Sequence, residues 1–193
     1  IFFNIDWHKD YNQTKQNFKG KRVLITAGPT YEAIDPVRFI GNHSSGLMGV
    51  EIARAFADQG ADVTLVLGPS NISPNRNSIN VLPVTSAKEM YDAVMSFFPK
   101  TDIAVLSAAV ADFRPEIVAD QKIKKNPETD TITLKLVKTD DILKTVGNQK
   151  KDNQVVVGFA LETENGIFNA KKKLHTKNID LIVLNEMKES GVG

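Results

Sequence analysis

Apolar residues fall along this chain in two alternating kinds of pattern. RVLITAG (22–28), ADVTLVLG (61–68), INVLPV (79–84), DIAVLSAAV (102–110), QVVVGFAL (154–161) and IDLIVLNE (179–186) are short, nearly unbroken apolar runs. Such runs are expected of strands buried on both faces. Between them lie segments with helical spacing. LMGVEIARAFADQG carries an apolar stripe at Gly49, Ile52, Ala53, Phe56 and Ala57, with Gly60 as its stop. SAKEMYDAVMSFF opens with a capping box, Ser86 with Glu89, and stripes Met90, Ala93, Val94 and Phe97. DDILKTVGNQ is a short helix with acids in its first turn, and NGIFNAKKKLHTKN a further helix. The alternation predicts an α/β fold: a Rossmann-like, doubly wound, mostly parallel sheet with helices on both faces.

The rhythm breaks once. ADFRPEIVADQKIKKNPETD is polar and contains proline, and TITLKLV alternates like an exposed or edge strand. Residues 111–138 therefore read as an inserted flap and β-hairpin. Residues 1–20 show no clean period and read as a linker or N-terminal arm before a domain spanning 21–193. There is no internal repeat.

The chain has 193 residues, enough for one domain with a sizeable core. It is 41% hydrophobic and 24% charged, as soluble globular proteins are. A net charge of +1 gives no global argument for nucleic acid or an anionic membrane surface as partner, so anion recognition must be local. There is no cysteine. That removes disulfides, a thiolate nucleophile and cysteine-based metal sites, and fits a cytoplasmic location. No apolar run approaches the ~18 residues of a membrane span, and no secretory signal is visible. Both ends look cut, as expected of part of a larger polypeptide.

Ligands of open α/β sheets bind beyond the carboxyl ends of the strands. After the first strand come Gly28, Pro29, Thr30, Asp35, Arg38, Asn42, Ser44, Ser45 and Gly46; after the fourth, Ser107, Ala108, Ala109 and Asp112; after the fifth, Phe159 and Glu162. The fold predicts that they converge on one edge. Dinucleotide chemistry is poorly supported. No GxGxxG follows the first strand, the second ends VTLVLGPS with no acid for a ribose, and the YxxxK spacing of Tyr11 and Lys15 precedes the first strand. GxxxxGK[ST], GxSxG and HExxH are absent, and His8, His43 and His175 are scattered, so no protein-held metal is expected.

FIGNHSSGLMG (39–49) is a small-residue loop before a helix, but it begins well after its strand. Its free amides and the hydroxyls of Ser44 and Ser45 suit an anion; alternatively, one serine caps the helix. Asn42 can steer a carboxylate or acyl phosphate, or form a turn. Lys122, Lys124 and Lys125 sit in the flap, where they either meet a nucleotide's phosphates or stay solvated. Lys173 and Lys177 lie one helical turn apart, facing a ligand or water. Asp112 can accept from ribose hydroxyls or cap its turn. The residues alone leave a nucleotide-using enzyme, a noncatalytic nucleotide-binding module and an NAD(P)-dependent reductase open.

AGPTYEAIDPVRFIGNHSSGLMG, SAAVADFRP, KIKK and VGFALET, in this order, resemble the phosphopantothenoylcysteine synthetase family over residues 21–193. The likeness is to the CTP-dependent bacterial type, as in the synthetase half of bifunctional coenzyme A biosynthesis proteins. The resemblance implies a ligase joining 4′-phosphopantothenate to cysteine with CTP and Mg²⁺, through an acyl-cytidylate, releasing pyrophosphate and then CMP. By position, Asn42 would hold the intermediate, Arg38 and Ala109 the phosphopantothenate side, and Lys122 would serve the first half-reaction. Nucleotide contacts would come from Gly28, Ser44, Ser45, Gly46, Ser107, Ala108, Asp112, Lys122, Asp141, Ile142, Leu143, Phe159, Lys173 and Lys177. Gly41 stands where the family has Ser or Thr, and Asp140 where it has Pro. The resemblance further implies a homodimer and a fused flavin-dependent decarboxylase domain, with residues 1–20 as remnant of that junction.

Overall fold

The computed structural model describes residues 16–125 and 131–186. The Tyr11–Lys15 spacing, His8, most of the expected arm and the middle of the insertion lie outside them.

In chain order the strands are β1 (Arg22–Ala27), β2 (Tyr31–Ala33), β3 (Phe39–Gly41), β4 (Asp62–Leu67), β5 (Ile79–Pro83), β6 (Ile103–Leu106), β7 (Phe113–Pro115), β8 (Leu136–Lys138), β9 (Val155–Glu162) and β10 (Leu181–Glu186). The helices are α1 (Leu47–Asp58), α2 (Ala87–Phe97), α3 (Ile142–Gln149) and α4 (Gly166–Thr176). The six apolar runs form one sheet in the order β10-β9-β6-β1-β4-β5. Every neighbouring pair in it is parallel. The fold is the doubly wound α/β arrangement that the alternation predicts, and the strand order reverses between β1 and β6.

Alternation along β1 shows why its run is apolar throughout. Val23, Ile25 and Ala27 join Val63 and Leu65 of β4 under Val50 and Ala53 of α1. Leu24 points the other way, into a cluster with Ala104, Val156, Met90 and Val94 of α2, and Ile142 and Val146 of α3. A strand with a helix layer on each face has no side to leave polar.

The capping box forms: the Glu89 amide donates to Ser86 Oγ at 3.2 Å, and Glu89 Oε2 accepts from the Ser86 and Thr85 amides at 3.4 and 2.6 Å. At the other end of α2 the stripe shifts by one residue. Phe98 is 1% exposed and Phe97 37%. The α-helix stops at Phe97 and a tighter 3₁₀ turn, Phe98–Lys100, follows with Pro99 in its first turn. That tightening rotates Phe98, rather than the expected Phe97, into the core.

Two short antiparallel ribbons stand on the carboxyl side of the sheet. β2 pairs with β3, and β7 with β8. The second is the expected hairpin, although only the last two residues of TITLKLV, Leu136 and Val137, are strand, with Lys138 completing β8. In the first, the Tyr31 and Phe39 rings stack with centroids 3.9 Å apart. Tyr31 also explains Gly41, its register partner. A Cβ there would lie 2.8 Å from the tyrosine ring and 2.9 Å from Thr30 O, so this chain has no room for a larger residue.

Candidate functional site

The switch point between β1 and β6 is closed over. Beyond the strand ends the two chains continue as a zipper. The Ala109 amide donates to Gly28 O at 2.9 Å and the Thr30 amide to Ala109 O at 3.3 Å. The buried hydroxyls of Thr26 and Thr30 accept from the Ala108 and Ala111 amides at 3.2 and 2.9 Å, and Ser107 Oγ donates to Thr26 O at 2.7 Å. The Ala109 amide and Gly28 carbonyl are thus engaged with each other, and the Ser107 hydroxyl with Thr26 O.

The open space lies to one side, above β6 and β9. A cavity of about 480 Å³ is lined by Thr26, Leu106, Ala108, Val110, Asp112, Phe113, Lys138 to Leu143, Phe159, Lys173 and Lys177. Eight residues from the sequence analysis meet here: Ala108, Asp112, Asp141, Ile142, Leu143, Phe159, Lys173 and Lys177. The size and the mixture of apolar wall and charged rim suit a small polar ligand.

Its charges come from helix ends. Asp141 caps α3, its Oδ1 accepting from the Lys144 amide at 2.9 Å, and its Oδ2 pairs with Lys177 at the C-cap of α4. Burial raises the Asp141 pKa, but Lys177 and the Lys144 amide outweigh it and hold the carboxyl below its usual value. Lys173 reaches from α4 to donate to Phe159 O at 2.8 Å. Burial, then repulsion from Lys177, lowers its pKa below the usual 10.5. Lys173 is thus a partly buried cation beside a second one, with Glu162, Asp141 and Asp112 acting on it in the opposite sense.

The SSG turn lies apart from this cavity. Ser44 and Ser45 line a second one, of about 370 Å³, with Tyr31, Pro69, Ser70, Asn71 and Ile72. Their hydroxyls accept from the amides of Gly46 and Leu47, both at 3.3 Å. Gly46, at φ +82°, is the residue before α1. Asn42 joins the two regions: its Nδ2 donates to Val110 O at 3.0 Å and to Ala109 O at 3.4 Å, and Val110 lines the larger cavity. Lys122 is exposed and lines neither cavity, as does Lys124. Arg38 is half-exposed and paired with Asp35.

Sequence reasoning missed Thr26, Val110, Lys138 and Thr139 as cavity residues. The KTDD run before α3 carried a signal, a threonine and two acids at a helix start. Thr139 Oγ1 donates to Ala111 O at 2.6 Å, fixing this rim to the segment after β6. Among the described residues, no group of three or more acids or histidines could hold a metal ion. Asp141 is engaged by Lys177, while Asp112 and Asp140 line the cavity singly. This donor set fits an ion that arrives on a ligand's phosphates rather than one caged by protein. No described helix is long and apolar enough to cross a membrane.

The family model of the DNA/pantothenate metabolism flavoprotein C-terminal domain matches residues 18–193. A "Cysteine/Cysteine sulfinic acid decarboxylase" from an unknown prokaryotic organism is 52% identical over 93% of this chain and 50% of that protein. The coenzyme A biosynthesis bifunctional protein CoaBC of Vibrio cholerae is 49% identical over 90% of this chain and 43% of that protein. The chain spans about half the length of the curated relatives it matches. Among solved structures, the C-terminal domain of CoaBC superposes with a TM-score of 0.75 and 44% identity, over 86% of this chain and 77% of that one.

Proposed function

This chain belongs to the family of the DNA/pantothenate metabolism flavoprotein C-terminal domain, and from that we propose that it joins 4′-phosphopantothenate to cysteine, using CTP, in coenzyme A biosynthesis. The observation that carries the reading is the junction at Val110. There the hairpin bearing Asn42 touches the wall of a cavity that holds Lys173 and Lys177. An acyl-activating site needs this juxtaposition: nucleotide phosphates on one side, the acyl group on the other.

CTP occupies the larger cavity, its phosphates between Lys173 and Lys177 and its ribose near Asp112. Phe159 and the start of α3, Asp141 to Leu143, complete the nucleotide's contacts. Mg²⁺ accompanies the phosphates and lowers their charge. The phosphopantothenate carboxylate attacks the α-phosphorus in line, and the bond to the β,γ-unit breaks, releasing pyrophosphate and leaving a mixed anhydride. Lys122 offsets charge in this step. In the second step the cysteine amine attacks the acyl carbon, the C–O bond to CMP breaks, and the ammonium proton is lost to solvent as the amide forms. Asn42, a neutral amide, orients the acyl phosphate without repelling either amine or carboxylate. Arg38 and Ala109 serve the phosphopantothenate side. No cysteine nucleophile is needed, in keeping with a chain that has none.

Residues 21–193 are the synthetase unit in this reading, acting as a cytoplasmic homodimer in a longer protein that also carries a flavin-dependent decarboxylase. A bifunctional relative, CoaBC of Vibrio cholerae, of which the match covers 43%, is consistent with a second domain. The test separates the two steps in the full-length protein. Asn42→Ala should release pyrophosphate yet accumulate the acyl-cytidylate, whereas Lys122→Ala should lose pyrophosphate release by about 100-fold or more. Equal loss at both steps in both variants would refute the assignment of roles.

A further inference from the structure

Asp35 lies in the turn between β2 and β3, and its side chain is fully buried. Its Oδ1 accepts from the amides of Val37 and Arg38 at 2.9 and 2.8 Å, which closes the turn. Its Oδ2 accepts from Arg38 Nε at 3.0 Å and from Arg38 Nη2. The Arg38 guanidinium above all, and three backbone amides, hold this carboxyl well below the usual range, against the cost of burial.

The pair does more than close its own turn. Oδ2 of Asp35 also accepts from the Ile123 amide at 3.1 Å, and Arg38 Nη2 donates to Ile123 O at 3.0 Å. Ile123 is thus held by both its backbone groups, by two residues more than eighty positions away in sequence. A third bond, from the Ala119 amide to Ile34 O at 3.0 Å, fixes the same segment four residues earlier. Lys122 precedes Ile123 and Lys124 follows it. At its far end the same hairpin carries Asn42, bonded to Val110 O at the cavity wall. One small ribbon therefore sets the positions of the acyl-steering amide and of the backbone from which the lysine extends.

We propose that Asp35 is a positioning residue for the first half-reaction, holding the segment that bears Lys122 through Ile123 and through Arg38. The proposal rests on the ligase reading for its kinetic part and on the hydrogen bonds alone for its structural part. A buried carboxylate accepting five donors tolerates no neutral substitute: in Asp35→Asn an amide N–H faces the Arg38 and Ile123 donors.

The experiment uses the full-length protein in two arms. In the first, hydrogen exchange is followed without substrates. Asp35→Asn should speed exchange of the Ile123 amide by about tenfold or more, while β1 and β4 stay within about twofold. Unchanged exchange at Ile123 would overturn the tie whatever the protein catalyses. In the second arm, pyrophosphate release from CTP and phosphopantothenate should fall about tenfold or more, and at least about threefold further than cysteine capture of separately prepared acyl-cytidylate, a step that Arg38 and Asn42 of the same ribbon also serve. In a Lys122→Ala background the same substitution should cost less than about twofold further, because the residue it acts through is gone. Equal loss at both steps, or full additivity with Lys122→Ala, would overturn the positioning role. A wild-type protein that releases no pyrophosphate would sink the ligase reading and leave the exchange result to decide the tie.

Discussion

Replacing Gly147 by alanine sets two physical effects against each other, and the structure says which wins. Gly147 is inside α3, where helix propensity alone favours alanine over glycine by about 1 kcal/mol. A Cβ on Gly147, however, would lie 1.8 Å from Lys177 O, 3.0 Å from Lys177 C and 3.1 Å from Asn178 O. These are backbone atoms of the turn between α4 and β10, and cannot swing aside as a side-chain tip can. To reach an ordinary contact distance the two segments must part by more than about 1 Å. The parting strains the bond from Asn178 Nδ2 to Gly147 O, now 2.9 Å, and carries Lys177 away from Asp141. Overpacking costs about 1–3 kcal/mol and a lost hydrogen bond about 1 more, less about 1 regained from propensity. The expected net loss is about 1–3 kcal/mol. For a chain of 193 residues that is a fall in Tm of about 2–12 °C by calorimetry. Nucleotide affinity should weaken with it, since Lys177 moves. A Tm that rises or stays level would refute the argument.

Further predictions concern the charges of the cavity. Lys173→Met should weaken CTP binding by about 10- to 100-fold, the worth of a charge-assisted contact to phosphate. Because burial and Lys177 lower the Lys173 pKa, a bound polyanion should restore its proton. Binding should then take up a proton at alkaline pH, between the lowered value and the usual 10.5. Calorimetry in two buffers of different ionisation enthalpy measures this, and uptake that persists in Lys173→Met would contradict the assignment. Asp141 has the opposite sign. Its folded pKa lies below the ordinary 3.8, so its contribution to stability is full above that value and fades as pH falls through the lowered one. Asp141→Asn should lower stability at about pH 5 more than at about pH 3, in urea titrations at each pH; an equal effect at both would count against the ion pair.

The scaffold could be read from the sequence because each central strand is buried on both faces, so its code is a run of apolar residues that no other element shares. The capping box was likewise a local signal, complete in Ser86 and Glu89. What escaped was tertiary. Phe97 and Phe98 are chemically equal, and only the 3₁₀ turn at Pro99 decides between them. The β2–β3 ribbon has strands too short for any period to show. The residues after the strands were expected at one edge. The hydroxyls of Thr26 and Thr30 zip β1 to β6, so they divide between a cavity above β6 and β9 and another beside the SSG turn. Asp35 had a partial signal, an acid in DPVR with amides and an arginine two and three residues on. Its tie to Ile123 spans 88 positions and leaves no local trace.

The displaced loop FIGNHSSGLMG takes its place from this arrangement. Its first residues belong to the ribbon that carries Asn42 to Val110, and only its last enter α1. The central claim is that this site activates a carboxylate with a nucleotide. It is tested most directly by pyrophosphate release from CTP in the presence of Mg²⁺ and 4′-phosphopantothenate, without cysteine, using the full-length protein and ATP alongside. Release that requires phosphopantothenate and CTP, and that ATP does not support, is the predicted result. Nucleotide binding with no pyrophosphate formed would contradict the account.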